Sequence, residues 1–127
     1  MSESKRILLV EDEDNIALAL TFLIEREGYL IDRVADGHAA LAALDHTRPD
    51  LVILDAMLPG LSGFGVCQHI RETERLAATR VLMISAAGED ARRRSLAIGA
   101  DHFLLKPFDT KELRQEVHRL LQEKEDA

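Results

Sequence analysis

Four apolar runs in this chain stop at a residue able to bind a cation or a phosphate. Ile7-Leu8-Leu9-Val10 stops at Glu11-Asp12, and Leu51-Val52-Ile53-Leu54 stops at Asp55. Val81-Leu82-Met83-Ile84 ends at Ser85, and the run from His102 to Leu105 ends at Lys106. Three carboxylates brought together repel and raise one another's pKa. A hard divalent cation relieves that repulsion. Mg2+ suits best, because it takes one or two carboxylates and keeps several waters, leaving room for a phosphate oxygen. An ammonium and a hydroxyl can hold the remaining oxygens of a phosphoryl group while the cation offsets charge developing during in-line transfer.

Each of these residues has a plainer explanation when taken singly. Asp12 would serve equally well as a helix N-cap, Ser85 as a turn residue and Lys106 as a solvated lysine. Asp55 is harder to explain that way, since it precedes Ala56-Met57-Leu58, where a cap would serve no adjacent helix. Recurrence at successive strand ends is what argues for a joint site.

The elements that must carry these residues follow from hydrophobic period. Ile16, Leu20, Leu23 and Ile24 repeat at helical spacing after the first run, and Gly28 suits a C-cap. Leu30 to Val34 reads as a second strand, ending at Ala35-Asp36, and Ala39 to Leu44 as the middle of a helix. Phe64, Val66 and Ile70 suit a third helix after the Pro59-Gly60 turn, and Leu96 and Ile98 a fourth that closes at Gly99. Asp109 and Glu112 resemble a capping box before Leu113, Val117, Leu120 and Leu121. Five strand–helix units in strict alternation predict an α/β fold, a doubly wound parallel five-stranded sheet with helices on both faces. In such sheets the ligand site lies beyond the carboxyl ends of the strands.

Bulk properties bound the function. The chain has 127 residues, 46% hydrophobic and 31% charged, which fits one domain, read as 5–122 with tails at 1–4 and 123–127. Its single cysteine, Cys67, allows no intrachain disulfide and reads as a small core residue. No membrane span or signal segment is evident, so a cytoplasmic protein is expected, with no membrane partner. A formal net charge of −7 argues against direct nucleic-acid binding. Arg92-Arg93-Arg94, the one basic cluster, reads as a solvated helix face.

These motifs, with Gly63, Ser85-Ala86, Gly99-Ala100-Asp101 and Lys106-Pro107-Phe108, resemble the receiver domain of two-component response regulators from about Lys5 to Leu121. The resemblance implies a flavodoxin-like (βα)5 fold with strand order 2-1-3-4-5. It also implies that Asp55 accepts a phosphoryl group from a sensor histidine kinase or a histidine phosphotransfer protein. Asp12 and Asp55 would then ligate Mg2+ (Mn2+ could substitute) with the Met57 main-chain carbonyl, and Glu11 would act through water. Lys106 would hold the phosphate, Ser85 would couple it to an aromatic switch at Phe103, and the peptide bond before Pro107 would be cis.

Some positions depart from the family pattern. Met57 and Ala87 carry nothing able to orient an attacking water, which predicts slow self-dephosphorylation. Phe103 lacks a hydroxyl, so packing alone would drive its inward rotation. The family pattern also implies output through the face of the fourth helix, fifth strand and last helix, toward a downstream protein or a second copy of the chain. There Arg92 and Glu112 could pair between subunits, with Asp101 nearby, but Glu116 stands where the dimerising branch offers an Arg. Competing classes are weaker. An aspartyl-phosphate phosphohydrolase usually has a second Asp where Met57 stands. A phosphorylation-independent adaptor would not require the intact acidic and basic set. A nucleotide-binding protein would not place Glu11-Asp12-Glu13-Asp14 after its first strand. The chain is thus read as a signalling domain that catalyses its own phosphorylation and dephosphorylation, and not as an enzyme acting on outside substrates.

Overall fold

The computed structural model describes the backbone of residues 4–126 and the side chains of 4–122. Five strands, β1 (Arg6–Val10), β2 (Leu30–Val34), β3 (Leu51–Asp55), β4 (Arg80–Ser85) and β5 (His102–Leu105), form one parallel sheet in the order β2-β1-β3-β4-β5. The connecting helices are α1 (Asp14–Arg26), α2 (Gly37–His46), α3 (Gly63–Glu72), α4 (Glu89–Ile98) and α5 (Thr110–Asp126), with a 3-10 turn at Glu74–Leu76. This is the doubly wound, flavodoxin-like arrangement that the alternating pattern predicts. Helix α5 continues past the boundary read at residue 122, whereas the expected tail at residues 1–3 and Ala127 lie outside the described residues.

The apolar strands supply two cores at once. Successive side chains point to opposite faces of a strand. Leu8, Val10, Val52, Leu54, Val81, Met83 and Phe103 therefore pack against α2, α3 and α4 residues on one face. Ile7, Leu9, Leu51, Ile53, Leu82, Ile84 and Leu104 pack against α1 and α5 on the other. Burying each large side chain contributes about 1.5–3 kcal/mol. Edge strand β2 is the exception, with Asp32 and Arg33 in its sequence and no fully buried residue.

Register decides where the functional residues land. Val10 lies beside Leu54, Asp55 beside Ile84, and Ser85 beside Leu105. The carboxyl ends of β1, β3, β4 and β5 are thus level, and Glu11, Asp55, Ser85 and Lys106 share one edge of the sheet.

Helix starts leave Asp12 uncommitted. Asp36 caps α2 by accepting from the Ala39 N–H at 2.8 Å, and Ser62 caps α3 by accepting from the Gly65 N–H at 3.3 Å. Asp109 caps α5 by accepting from the Lys111 N–H at 2.8 Å. Helix α1 instead begins after Glu13, with no side-chain cap. Helix α4 differs from expectation. Ala91 and Ser95 face the core, whereas Leu96 is 38% exposed, because Leu96 and Ile98 are two residues apart and cannot share one helical face. Arg92, Arg93 and Arg94 are all exposed, and Arg94 stacks on the Phe64 ring at 4.1 Å.

Candidate functional site

The acidic pair stands at the end of β1, where the chain leaves the sheet for α1. Glu11 is wholly buried, its Oε2 accepting from the Glu13 N–H at 3.0 Å, while Asp12 is exposed. Asp55, 4% exposed, closes β3, and its Oδ1 accepts from the Met57 N–H at 2.9 Å. Carboxylate oxygens of Glu11, Asp12 and Asp55 lie within 4.8 Å of one another. From β5, Lys106 Nζ reaches Asp55 Oδ2 and Glu11 Oε1, each at 2.9 Å. Only the contact to Asp55 has hydrogen-bond geometry. The Glu11 contact is an ion pair by distance, and Oε1 is a buried oxygen without a hydrogen-bond partner.

The electrostatics are those of a cation site. Three carboxylates face one ammonium, which leaves two formal negative charges, the complement of one divalent ion. Burial raises the Glu11 carboxyl above its ordinary 4.5, opposed by the Lys106 ammonium and the Glu13 hydrogen bond and reinforced by the Asp55 charge. Burial alone would lower Lys106, but its bonds to Glu11 and Asp55 outweigh that and hold it above its ordinary 10.5. The all-oxygen donor set, with a Glu11 oxygen that only the Lys106 ion pair engages, fits a hard cation such as Mg2+.

Around this cluster the backbone is tightly placed. Ser85 is buried at the end of β4, its Oγ accepting from the Ala87 N–H at 3.0 Å, and its carbonyl accepts from the Lys106 N–H at 2.8 Å. The Lys106–Pro107 peptide bond is cis. Met57 is 59% exposed at the mouth of the site. The start of α3 lies against the Asp55 backbone so closely that a Cβ on Gly63 would be 2.1 Å from the Asp55 carbonyl oxygen. Only glycine fits there, a role that residue type alone does not reveal.

Two sequence expectations change. Phe103 is already buried at 7% exposure, among residues that include Phe64, Met83 and Ala91. Its ring lies within the core beneath α4. Asp101 is turned away from the α4–β5–α5 face. It binds Arg71 at 2.8 Å, Arg80 at 3.3 Å and the Val81 N–H at 2.8 Å, because those donors converge on it. Sequence reading also missed Arg33 on β2, whose guanidinium binds the Glu11 carbonyl. A charged residue in an edge strand gives no advance sign of such a partner.

Comparison with known proteins agrees with this geometry. Residues 7–118 match the family model described as the response regulator receiver domain. The phosphate regulon transcriptional regulatory protein PhoB of Rhizobium meliloti (strain 1021) is 42% identical over 120 residues, covering 91% of this chain and 52% of the relative. The alkaline phosphatase synthesis transcriptional regulatory protein PhoP of Bacillus subtilis (strain 168) is 36% identical over 125 residues, 98% of this chain and 51% of the relative. The chain thus spans about half the length of these curated relatives. Among solved structures, the receiver domain of a sensor histidine kinase from Pseudomonas aeruginosa PAO1, with a magnesium ion in its active site cleft, superposes with a TM-score of 0.86. It shares 29% identity, and the match covers 94% of this chain and 99% of that one. The chemotaxis response regulator CheY4 of Vibrio cholerae gives a TM-score of 0.87 at 27% identity, over 93% of this chain and 99% of the other. Fold, acidic edge and family match agree, and the chain belongs to the response regulator receiver domain family.

Proposed function

We propose that this receiver domain is a Mg2+-dependent phosphoacceptor switch, with Asp55 taking a phosphoryl group from a histidine kinase or histidine phosphotransfer protein. The observation that carries this reading is the convergence of Asp55 with Glu11, Asp12 and Lys106 at one sheet edge. An Asp55 oxygen forms the bond to phosphorus as the bond from phosphorus to the donor imidazole breaks. Asp12, Asp55 and the Met57 carbonyl are the proposed ligands of Mg2+, with Glu11 acting through water, and Mn2+ can substitute. An ion held there would supply charge neutralisation at the phosphoryl oxygens during transfer. Lys106, already on Asp55, moves its contact to a phosphoryl oxygen, and the Ser85 hydroxyl turns from the Ala87 N–H toward another.

Transfer puts a group of about −1.5 to −2 charges where the carboxylate carried −1, beside the β4–α4 turn. Movement of Ser85 and Ala87 then repositions α4, which only Ala91 and Ser95 bury fully. With Phe103 already inside, the switch acts through this turn and the α4–β5–α5 face. The partner there is a downstream output protein or domain. A second copy is the other candidate, through Arg92 and Glu112 alone. Asp101 is engaged internally, and Glu116 is held by Arg119 at 2.7 Å. Unchanged sedimentation with Mg2+ and beryllofluoride at high protein concentration would remove dimerisation. Cys67 is buried in the core, and burial raises its thiol pKa. Among the described residues no helix is long and apolar enough to cross a membrane.

The site assignment is tested by reducing the phosphorylated protein with borohydride, which converts an aspartyl phosphate to homoserine. Peptide sequencing after treatment with phosphoramidate and Mg2+ is expected to find homoserine at position 55. Homoserine at another aspartate, or at none, overturns the assignment.

A further inference from the structure

The last residue to join the β1 ladder leaves an orphan. Beyond Val10 the Glu11 N–H still donates to the Val34 carbonyl at 3.1 Å, but the Glu11 carbonyl has no strand opposite it. It accepts instead from Arg33, from Nε at 2.9 Å and from Nη2 at 2.7 Å. The same Nη2 lies 3.0 Å from Asp14 Oδ1, on the first residue of α1. One guanidinium on β2 thus bridges the end of β1 and the start of α1, across the turn that carries Asp12. The Arg33 side chain is 28% exposed and Asp14 90%, so the grip on the Glu11 carbonyl is half-buried while the Asp14 pair lies at the surface.

Asp12 needs such a clamp more than its neighbours do. Glu11 is held by the Glu13 amide and Lys106, and Asp55 by the Met57 amide and Lys106. No hydrogen bond or ion pair among the described residues holds the Asp12 side chain. Its place within the acidic cluster depends on the backbone before it, and the peptide unit joining Glu11 to Asp12 is the one whose oxygen Arg33 grips. We propose that Arg33 is a positioning residue for the divalent-cation site, fixing the Glu11–Asp12 peptide so that the Asp12 carboxylate meets Asp55. The inference rests on the cation site of the proposed function and adds a residue outside it.

Charge and position make opposite predictions here, which permits a clean test. As a cation near three carboxylates, Arg33 would repel Mn2+, and its removal would tighten binding. As a clamp, its loss loosens Asp12 and weakens binding. Lysine keeps the charge but is a point donor that cannot fork onto the carbonyl and reach Asp14 together. Mn2+ is titrated into wild type, R33K, R33Q and a D12N reference, with free ion read by electron paramagnetic resonance. Amide exchange at Asp12 and Glu13 is followed in the ion-free protein, and Tm is measured in chelator.

Both Arg33 variants are expected to bind Mn2+ about tenfold more weakly, the usual effect of losing a partner behind a metal ligand. Exchange at Asp12 and Glu13 should quicken, with the Tm of R33K close to wild type. R33Q that binds more tightly, or R33K that matches wild type while D12N loses binding, overturns the role of Arg33 alone. If R33Q does not fold, R33K decides. A wild-type protein that binds no Mn2+ overturns the cation site itself, and the clamp with it.

Discussion

Burial sets the ionisation of Glu11 against folding. It raises the carboxyl pKa of this residue, and the Asp55 charge adds to this against the Lys106 ammonium and the Glu13 hydrogen bond. Its folded value lies above the ordinary 4.5, so its contribution to stability is full below that pH and falls as pH rises through the folded value. Metal-free protein should therefore lose stability over that acid-to-neutral range, and E11Q should flatten the slope in urea denaturation run in chelator. Mg2+ should restore stability to the wild type at pH 7 and have little effect where Glu11 is protonated. A wild-type slope equal to that of E11Q would show that Glu11 carries no such strain. Lys106 works at the other limit, its contribution being present below the ordinary 10.5 and lost as pH rises through its raised folded value. The acidic and basic residues themselves were legible from their places at strand ends. Which of them was idle as a cap was not, since Asp12 and Asp36 both precede helices and only geometry shows that Asp36 alone caps. Arg33 was invisible for a similar reason, because its partner is a main-chain oxygen that no residue pattern encodes.

The helices differ in how firmly they are held, and this decides which can respond to the site. Helix α3 is locked against the Asp55 backbone at Gly63, where a Cβ would also lie 2.7 Å from Ala56 Cα. G63A must move backbone, so it should cost about 3 kcal/mol or more in urea denaturation and disturb the amide signals of Asp55 to Met57. A near-neutral effect would mean that this packing is loose. Helix α4 is held by Ala91, Ser95, the partly buried Ile98 and the Arg94–Phe64 stack. Its amides should exchange faster than those of α3, and R94A should remove about 0.5–1 kcal/mol. Slower exchange on α4 than on α3 would contradict its role as the moving element. Most strand positions were readable as apolar runs, and β2, despite Asp32 and Arg33, and β5 match their expected limits. The face of α4 was not. Ala91 and Ser95 are small and one is polar, so the residues that seat this helix leave no hydrophobic period to see.

At the scale of the molecule, the sheet divides its side chains between two cores and brings four strand ends level, so the site is assembled from residues far apart in sequence. Strict strand–helix alternation made that topology legible, and the family match over residues 7–118 confirms it. Less legible was the resting place of Phe103, since a residue type says nothing of whether a ring already lies in the core. Met57 and Ala87 carry no group able to orient an attacking water, and the neighbouring carboxylates are those of the proposed cation site, so the phosphorylated form should persist well beyond seconds in Mg2+ once the donor is removed. Release within seconds, followed by intact-mass spectrometry, would contradict that reading. The central claim is that Asp55 accepts a phosphoryl group with the help of Mg2+. The most direct measurement is intact-mass spectrometry of wild type and D55N after incubation with a small acyl phosphate, with and without Mg2+. A gain of one phosphoryl group is expected in the wild type with Mg2+ alone. An equal gain in D55N, or in wild type without Mg2+, would contradict it.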